Sequence, residues 1–535
     1  MEARRTDDQA AGQWSSVPAL LDDRAAARPT APVVSFAGRE STYEELRRSS
    51  ELSARRLRAA GVGPGDRVGI LLREGSEQYV SLALGAMRLG AMCLAINARN
   101  KAAELRYVLE HGEPAVLLCG AEFAELVASC GSSHRPRQVL LGDDAEFDAG
   151  GAAVEPEEVA ALSATVTPAT PALLIYTSGT TADPKGCLID HGALLAEGRN
   201  CIERLEFGPE DRMWTPMTMF HVGGWQTLMT ALAGGGAFSH PGLFTPDIAL
   251  SQLAGERCTV AFPAFELIWL GVLEHPGFPR ADLGALRIVI NVGVRERLLR
   301  MQEMLPGTKQ VSSFGLTESC GSICIGSHAD PLERRLTTSG RPMRGVDLRI
   351  VDPEGGAELP AETAGELQFR SPSAFAGYYR DPAATAATRI DGGWVRTGDL
   401  ACLLEDGTLQ FRGRLKETLK VGGENASAPE IEGYLLTHPA VGVAAVVGVA
   451  DERYGEVAAA FVQRVPGERV EEQELIDFCL GQIATFKVPR YVRFVDSFPT
   501  TASEKIKKFA LREQIEAELR ERGISAAPKL PRNRT

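Results

Sequence analysis

At 535 residues the chain is longer than one ordinary core organises, so two or more domains are expected. Its 44% hydrophobic and 24% charged residues are those of a soluble globular protein, which excludes a fibrous or disordered chain. The net charge of −13, from 57 basic and 70 acidic residues, excludes a broad nucleic-acid face, because phosphate backbones demand clustered positive charge.

The opening residues, MEARRTDDQAAGQW, carry two aspartates and no apolar core, so no secretory signal is expected there. Thr42 and Glu45 form a capping-box pair, behind which Tyr43, Leu46, Ser50, Ser53, Leu57 and Ala60 share one helical face until Gly61 ends it. Strand-like RVGILL (67–72), a helix through Val80 to Leu89, strand-like AMCLAIN (91–97), a helix through Leu105 and Leu109, and AVLLCG (115–120) follow. Short apolar runs alternating with amphipathic stretches predict a parallel sheet flanked by helices, an α/β doubly wound rhythm that repeats in kind but not in sequence. Residues 150–171, full of Ala, Glu, Thr and Pro, lack either periodicity and are expected to run over the surface. Two alternating runs flank the Asp406-Gly407 turn as a hairpin. The longest apolar run, AVGVAAVVGVA (440–450), is too short to cross a bilayer and reads as a buried strand, so no membrane span is expected. The texture changes near residues 414–416, where a domain boundary is placed, and the tail PKLPRNRT reads as mobile. Ten cysteines without metal-ligand spacing, Cys320 and Cys324 included, read as reduced buried thiols of a cytoplasmic protein.

The stretch LLIY (173–176) reads as a buried strand, and TSGTTADPKG follows at its end. Backbone N–H groups and hydroxyls are thereby brought to the rim of the sheet, where ligands bind in open α/β folds. The loop lacks the Gly-Lys-Ser/Thr ending of a Walker A loop, and Pro184-Lys185-Gly186 fixes a turn that aims a cation inward. On its own it reads as a phosphate cradle, with a linker or a polar turn as the alternatives. SSFGLTES (312–319) offers a ring for a base, a hydroxyl for a phosphate and a carboxylate for Mg²⁺, or is an ordinary strand end. WVRTGDL (394–400) presents Asp399 after a glycine turn, as a chelator of ribose hydroxyls or as a turn cap. FRGRLKETLKVGGENASAPEIE (411–432) and TTASEKIKK (500–508) complete the set.

In this order and spacing the five motifs resemble the adenylate-forming superfamily of acyl-CoA synthetases, adenylation domains and luciferases, from about Ser41 to Lys508. The resemblance implies a large N-terminal α/β domain of parallel and mixed sheets flanked by helices with an adjoining β-subdomain (1–414). A small mobile α+β domain (415–535) would carry the catalytic lysine. It also implies an ATP-dependent carboxylic acid:CoA ligase that forms an acyl-AMP and then a thioester, with ATP, Mg²⁺ and CoA as the small molecules used. By match, Thr177, Ser178, Gly179, Thr180, Thr181 and Lys185 wrap the β- and γ-phosphates. Ser313, Phe314 and Gly315 form the adenine strand, Phe314 stacking. Thr317 takes the α-phosphate position, Glu318 the Mg²⁺ position, and Asp399 with Arg414 the ribose. Lys505 matches the lysine that joins the substrate carboxylate to the α-phosphate.

The acceptor is read from Lys420, Gly422 and Gly423, similar to the CoA-ligase version of that motif, with the hinge at Lys416 and close backbone approach at the glycines; a hairpin turn is the plain alternative. By the same resemblance His221 falls near the entry of the acyl pocket, where amino-acid-activating relatives carry Asp, so an α-amino acid is not expected; a packed core histidine is the plain alternative. Trp225, Gly293, Ser319 and Cys320 are assigned to the pocket walls. Three departures stand out: Ala182 for the usual Gly, Asn291-Val292-Gly293-Val294 for Gly-Gly-Ala-Pro, and Glu504 before Lys505. A carrier protein or an amine is the alternative acceptor, a non-catalytic nucleotide-binding homologue the third reading, and a homodimer is left open.

Overall fold

Continuous apolar runs become strands buried on both faces, and the helices between them cover those faces. Residues 14–73, 75–177, 184–293, 295–415, 418–421, 424–500 and 506–530 are described by the computed structural model. The chain divides into two compact units, 1–293 with 297–347 and 369–395, and 294–296 with 348–368 and 396–535.

The first unit holds two seven-stranded sheets. One runs in the order Lys309–Val311, Ile288–Val292, Val260–Phe265, Arg212–Trp214, Ala237–His240, Pro32–Phe36, Arg39–Thr42, all parallel except the last pair. The other begins with the antiparallel strands Gly377–Tyr378, Lys185–Asp190 and Pro171–Thr177. It continues in parallel through Met92–Ala95, Arg67–Leu71, Val116–Cys119 and Arg137–Leu140. The strands expected at 67–72, 91–97 and 115–120 are the centre of this second sheet.

The helix Tyr43–Ala59 starts on its capping box: the Glu45 N–H donates to Thr42 Oγ1 at 3.3 Å and the Thr42 N–H to Glu45 Oε2 at 2.7 Å. Its buried face is Tyr43, Leu46, Ser50, Ser53, Ala54 and Leu57, and Gly61 turns away at φ +93°. The small Ser53 is inside because the helix Glu77–Arg88 crosses at Gly85, where a Cβ would sit 2.7 Å from that of Ser53.

One expectation fails. Residues 150–171 contain the helix Pro156–Ala164, with proline at its first position and only Val159 of its residues buried. So exposed a helix carries almost no hydrophobic periodicity, which is why its pattern reads as a loop.

In the second unit the strand Val441–Asp451 pairs antiparallel with Gly455–Arg464. One face packs on Ile431 and Leu435; the other, through Ala445, Val447 and Val449, on Leu511, Ile515 and Leu519 of the helix Lys508–Glu521. Cover on both faces explains the unbroken Val/Ala run. The hairpin forms as expected, Leu403 opposite Leu409 around Asp406-Gly407. The boundary expected at 414/415 falls inside this unit. Among the described residues no helix is long and apolar enough to cross a membrane, and all ten cysteines are buried and unbonded.

Candidate active site

The loop after Thr177 closes a hairpin. Thr177 and Lys185 are cross-strand partners, and the Thr177 hydroxyl reaches the Lys185 carbonyl at 3.4 Å. The chain therefore returns from Lys185 as an antiparallel strand. The strand Gly377–Tyr378 adds to the same edge, Tyr378 opposite Cys187. Its ring carries the Lys185 ammonium 4.9 Å from the centroid, and its hydroxyl donates to Glu318 Oε1 at 2.7 Å. Burial, then the Glu318 charge, hold the Tyr378 phenol far above its ordinary range, so it stays a donor. A line Lys185–Tyr378–Glu318 thus joins two of the motifs. Tyr378 was not foreseen; GYYRDP offers no periodicity beyond a turn.

Glu318 sits on the single turn Thr317–Ser319, which links the antiparallel strands Ser313–Leu316 and Gly321–Ile325. The turn is tied at both ends: Ser319 Oγ accepts the Leu316 N–H at 3.0 Å and lies 2.5 Å from the Gly321 carbonyl, and the Phe375 N–H donates to the Glu318 carbonyl at 2.8 Å. Gly315 fits only as glycine, since a Cβ would stand 2.0 Å from the Gly321 carbonyl oxygen. Ser313 is buried, whereas Phe314, Thr317 and Glu318 are half-buried and reachable.

His221 is half-buried at the N-cap of the helix Val222–Gly234, its ring 4.9 Å from that of Phe220. Of the residues expected at the pocket walls, Trp225, Ser319 and Cys320 are fully buried. The Trp225 indole donates to the Met219 carbonyl at 2.7 Å, and burial lifts the Cys320 thiol well above its ordinary range. Gly293 is exposed and pressed by Glu266, whose Oε2 would lie 2.0 Å from a Cβ there; Glu266 pairs with Arg297. Asn291 is buried with its amide 3.3 Å from the Met301 sulfur.

In the second unit Asp399 and Arg414 are cross-strand partners, Arg414 Nε 2.9 Å from Asp399 Oδ1. Asp399 is buried, and its N–H donates to Thr397 Oγ1 at 3.0 Å. Lys420 lies in the strand Thr418–Val421. Ser178, Gly179, Thr180, Thr181, Ala182, Lys416, Gly422, Gly423, Glu504 and Lys505 lie outside the described residues.

Among the described residues no group of three His, Cys, Asp or Glu side chains is placed to cage a metal. A lone carboxylate with one oxygen engaged by Tyr378 fits Mg²⁺ carried mainly by nucleotide phosphates, the usual mode for that ion.

The α/β fold and the family profile together define an enzyme of the adenylate-forming class. The chain belongs to the AMP-binding enzyme family, whose profile matches residues 21–379, and that of the AMP-binding enzyme C-terminal domain matches 430–505. It is 33% identical over 496 residues to a feruloyl-CoA synthase of an Amycolatopsis species, covering 92% of this chain and 97% of that one. It is 33% identical over 500 residues to the fatty acid–[acyl-carrier-protein] ligase ScoC of Streptomyces coeruleorubidus, covering 91% and 94%. ATP-bound MatB from Rhodopseudomonas palustris has the same fold, with a TM-score of 0.84 at 27% identity over 94% of this chain and 99% of that one.

Proposed function

We propose that the enzyme is an ATP-dependent carboxylic acid:CoA ligase. The observation that carries this reading is the Lys185–Tyr378–Glu318 line at the foot of the hydroxyl-rich hairpin loop, in a chain that matches acid-activating relatives over nearly its whole length. A carboxylate oxygen of the acid attacks the α-phosphorus of ATP and pyrophosphate leaves, giving an acyl-AMP. The sulfur of CoA then attacks the acyl carbon, the thiol proton is released, and AMP leaves.

Two anions must meet in the first step, and each unit repulsion at contact costs about 4 kcal/mol at an effective dielectric of about 20. Lys505 offsets it, brought in by a reorienting segment 415–535 hinged at Lys416. Thr177, Ser178, Gly179, Thr180, Thr181 and Lys185 receive the outer phosphates, and Thr317 the α-phosphate. Phe314 stacks on adenine between Ser313 and Gly315, and the Asp399–Arg414 pair holds the ribose. Glu318 would hold Mg²⁺, which when bound neutralises charge on the departing pyrophosphate. His221 orients the acid at the pocket mouth, with Trp225, Ser319 and Cys320 packed behind and Gly293 at the wall. Lys420, Gly422 and Gly423 flank the pantetheine path. A cytoplasmic setting, where the thiol of CoA and unpaired cysteines both persist, goes with this reading.

Exchange of labelled pyrophosphate into ATP across a panel of acids, followed by thioester formation with and without CoA, tests it. Lys505→Ala should abolish exchange and leave thioester formation from supplied acyl-AMP nearly intact; equal loss in both half-reactions refutes the assigned role. The kinship with ScoC supports a second reading, in which a carrier protein replaces CoA as acceptor. Acyl transfer to a carrier but not to CoA would select it.

A further inference from the structure

Behind the Thr317–Ser319 turn lies a buried polar cluster that the chemistry above leaves unused. Glu197, in the helix His191–Leu205, is fully buried, and its Oε1 accepts the Ser322 N–H at 2.9 Å, with Cys201 Sγ 3.5 Å away. Gln226, from the helix Val222–Gly234, donates from Nε2 to Ser322 Oγ at 2.9 Å. Gly321 fits between them at φ +135°; a Cβ there would lie 2.7 Å from Glu197 Oε1 and 2.8 Å from Gln226 Oε1. Two helices therefore bear on Gly321 and Ser322, at the start of the strand that leaves the turn.

We propose that Glu197 is a positioning residue that with Gln226 clamps Gly321 and Ser322 and so sets how Thr317 and Glu318 face the nucleotide. The meaning of the turn rests on the proposed function; the clamp itself does not.

Burial pushes the Glu197 carboxyl up to about 8 against the downward pull of Ser322, Cys201 and Ser373. The titratable groups that face it are the Cys201 thiol on its own helix and the Cys320 thiol on the turn. Burial keeps both neutral, far above their ordinary range. Asp190, capping the same helix, acts on Cys320 and is itself raised by burial. A neutral acid accepts the Ser322 N–H without needing water. An ionised one would be a buried charge served by the Ser322 N–H and the Cys201 and Ser373 side chains, which do not outweigh its lost hydration, and the cluster must open to hydrate it.

Amide exchange over residues 313–325, corrected for intrinsic rate, reads the clamp in the full-length protein without substrate. Between pH 7 and pH 9 the wild type should lose about tenfold in protection, one pH unit past the titration point. Glu197→Gln should keep its protection at both pH values, and Glu197→Ala should lack it at both. MgATP affinity by calorimetry should fall in parallel, about tenfold in the wild type and unchanged in Glu197→Gln. The same pH dependence in wild type and Glu197→Gln, or full protection in Glu197→Ala, overturns the proposal. A wild type that binds no MgATP at pH 7 sinks the proposed function instead, and the exchange data still decide on Glu197.

Discussion

Glu318 stood out in the sequence as a candidate, whereas its partner Tyr378 did not. The aspartate, arginine and glutamate of the five motifs are polar residues at fixed offsets from glycines, and such offsets survive in one dimension. Tyr378 meets Glu318 only because an antiparallel strand brings it across 60 positions of chain. A hydrogen bond to a charged group is worth about 1.5–3 kcal/mol, so Tyr378→Phe should cut kcat/KM for ATP about tenfold or more, as steady-state kinetics would show. The histidines were equally mute about their burial. His191 accepts the Val17 N–H and His240 the Gly242 N–H, and burial drives them down to about 3 and about 4. Both are neutral in the folded chain, whereas the unfolded chain takes up protons near pH 6.5. Their contribution is complete above that pH and drains away as acid approaches pH 4. Melting temperature should therefore fall steeply from pH 6 to pH 4, and His240→Gln should flatten the slope.

Among the elements, helices with a cap and an inner face, and strands covered on both sides, could be read directly. The helix Pro156–Ala164 could not, because a helix that buries one residue leaves no stripe. The antiparallel return at Lys185 was also hidden, since a strand and a helix N-terminus both suit a sequence of hydroxyls and glycines. Two substitutions separate local from tertiary stabilisation. Thr42→Ala removes a cap and should cost about 1 kcal/mol in chemical denaturation. Gly315→Ala drives a methyl into the Gly321 carbonyl, so it should lower the melting point far more than Gly208→Ala, where nothing lies within 4 Å.

For the whole molecule, family and fold were legible because the five motifs span most of the chain in a fixed order and spacing. The grouping of residues 348–368 with 396–535 was not, because pairing between distant strands leaves no mark on composition. The ten sheltered thiols give the protein a built-in count of its own opening: eight lie in the first unit, and Cys402 and Cys479 in the second. A thiol-modifying reagent followed by intact-mass spectrometry should find the native molecule nearly unlabelled. If the two units melt independently, mildly denatured molecules should appear carrying two or eight adducts before any carry ten. A single jump from none to ten would mean that both open as one.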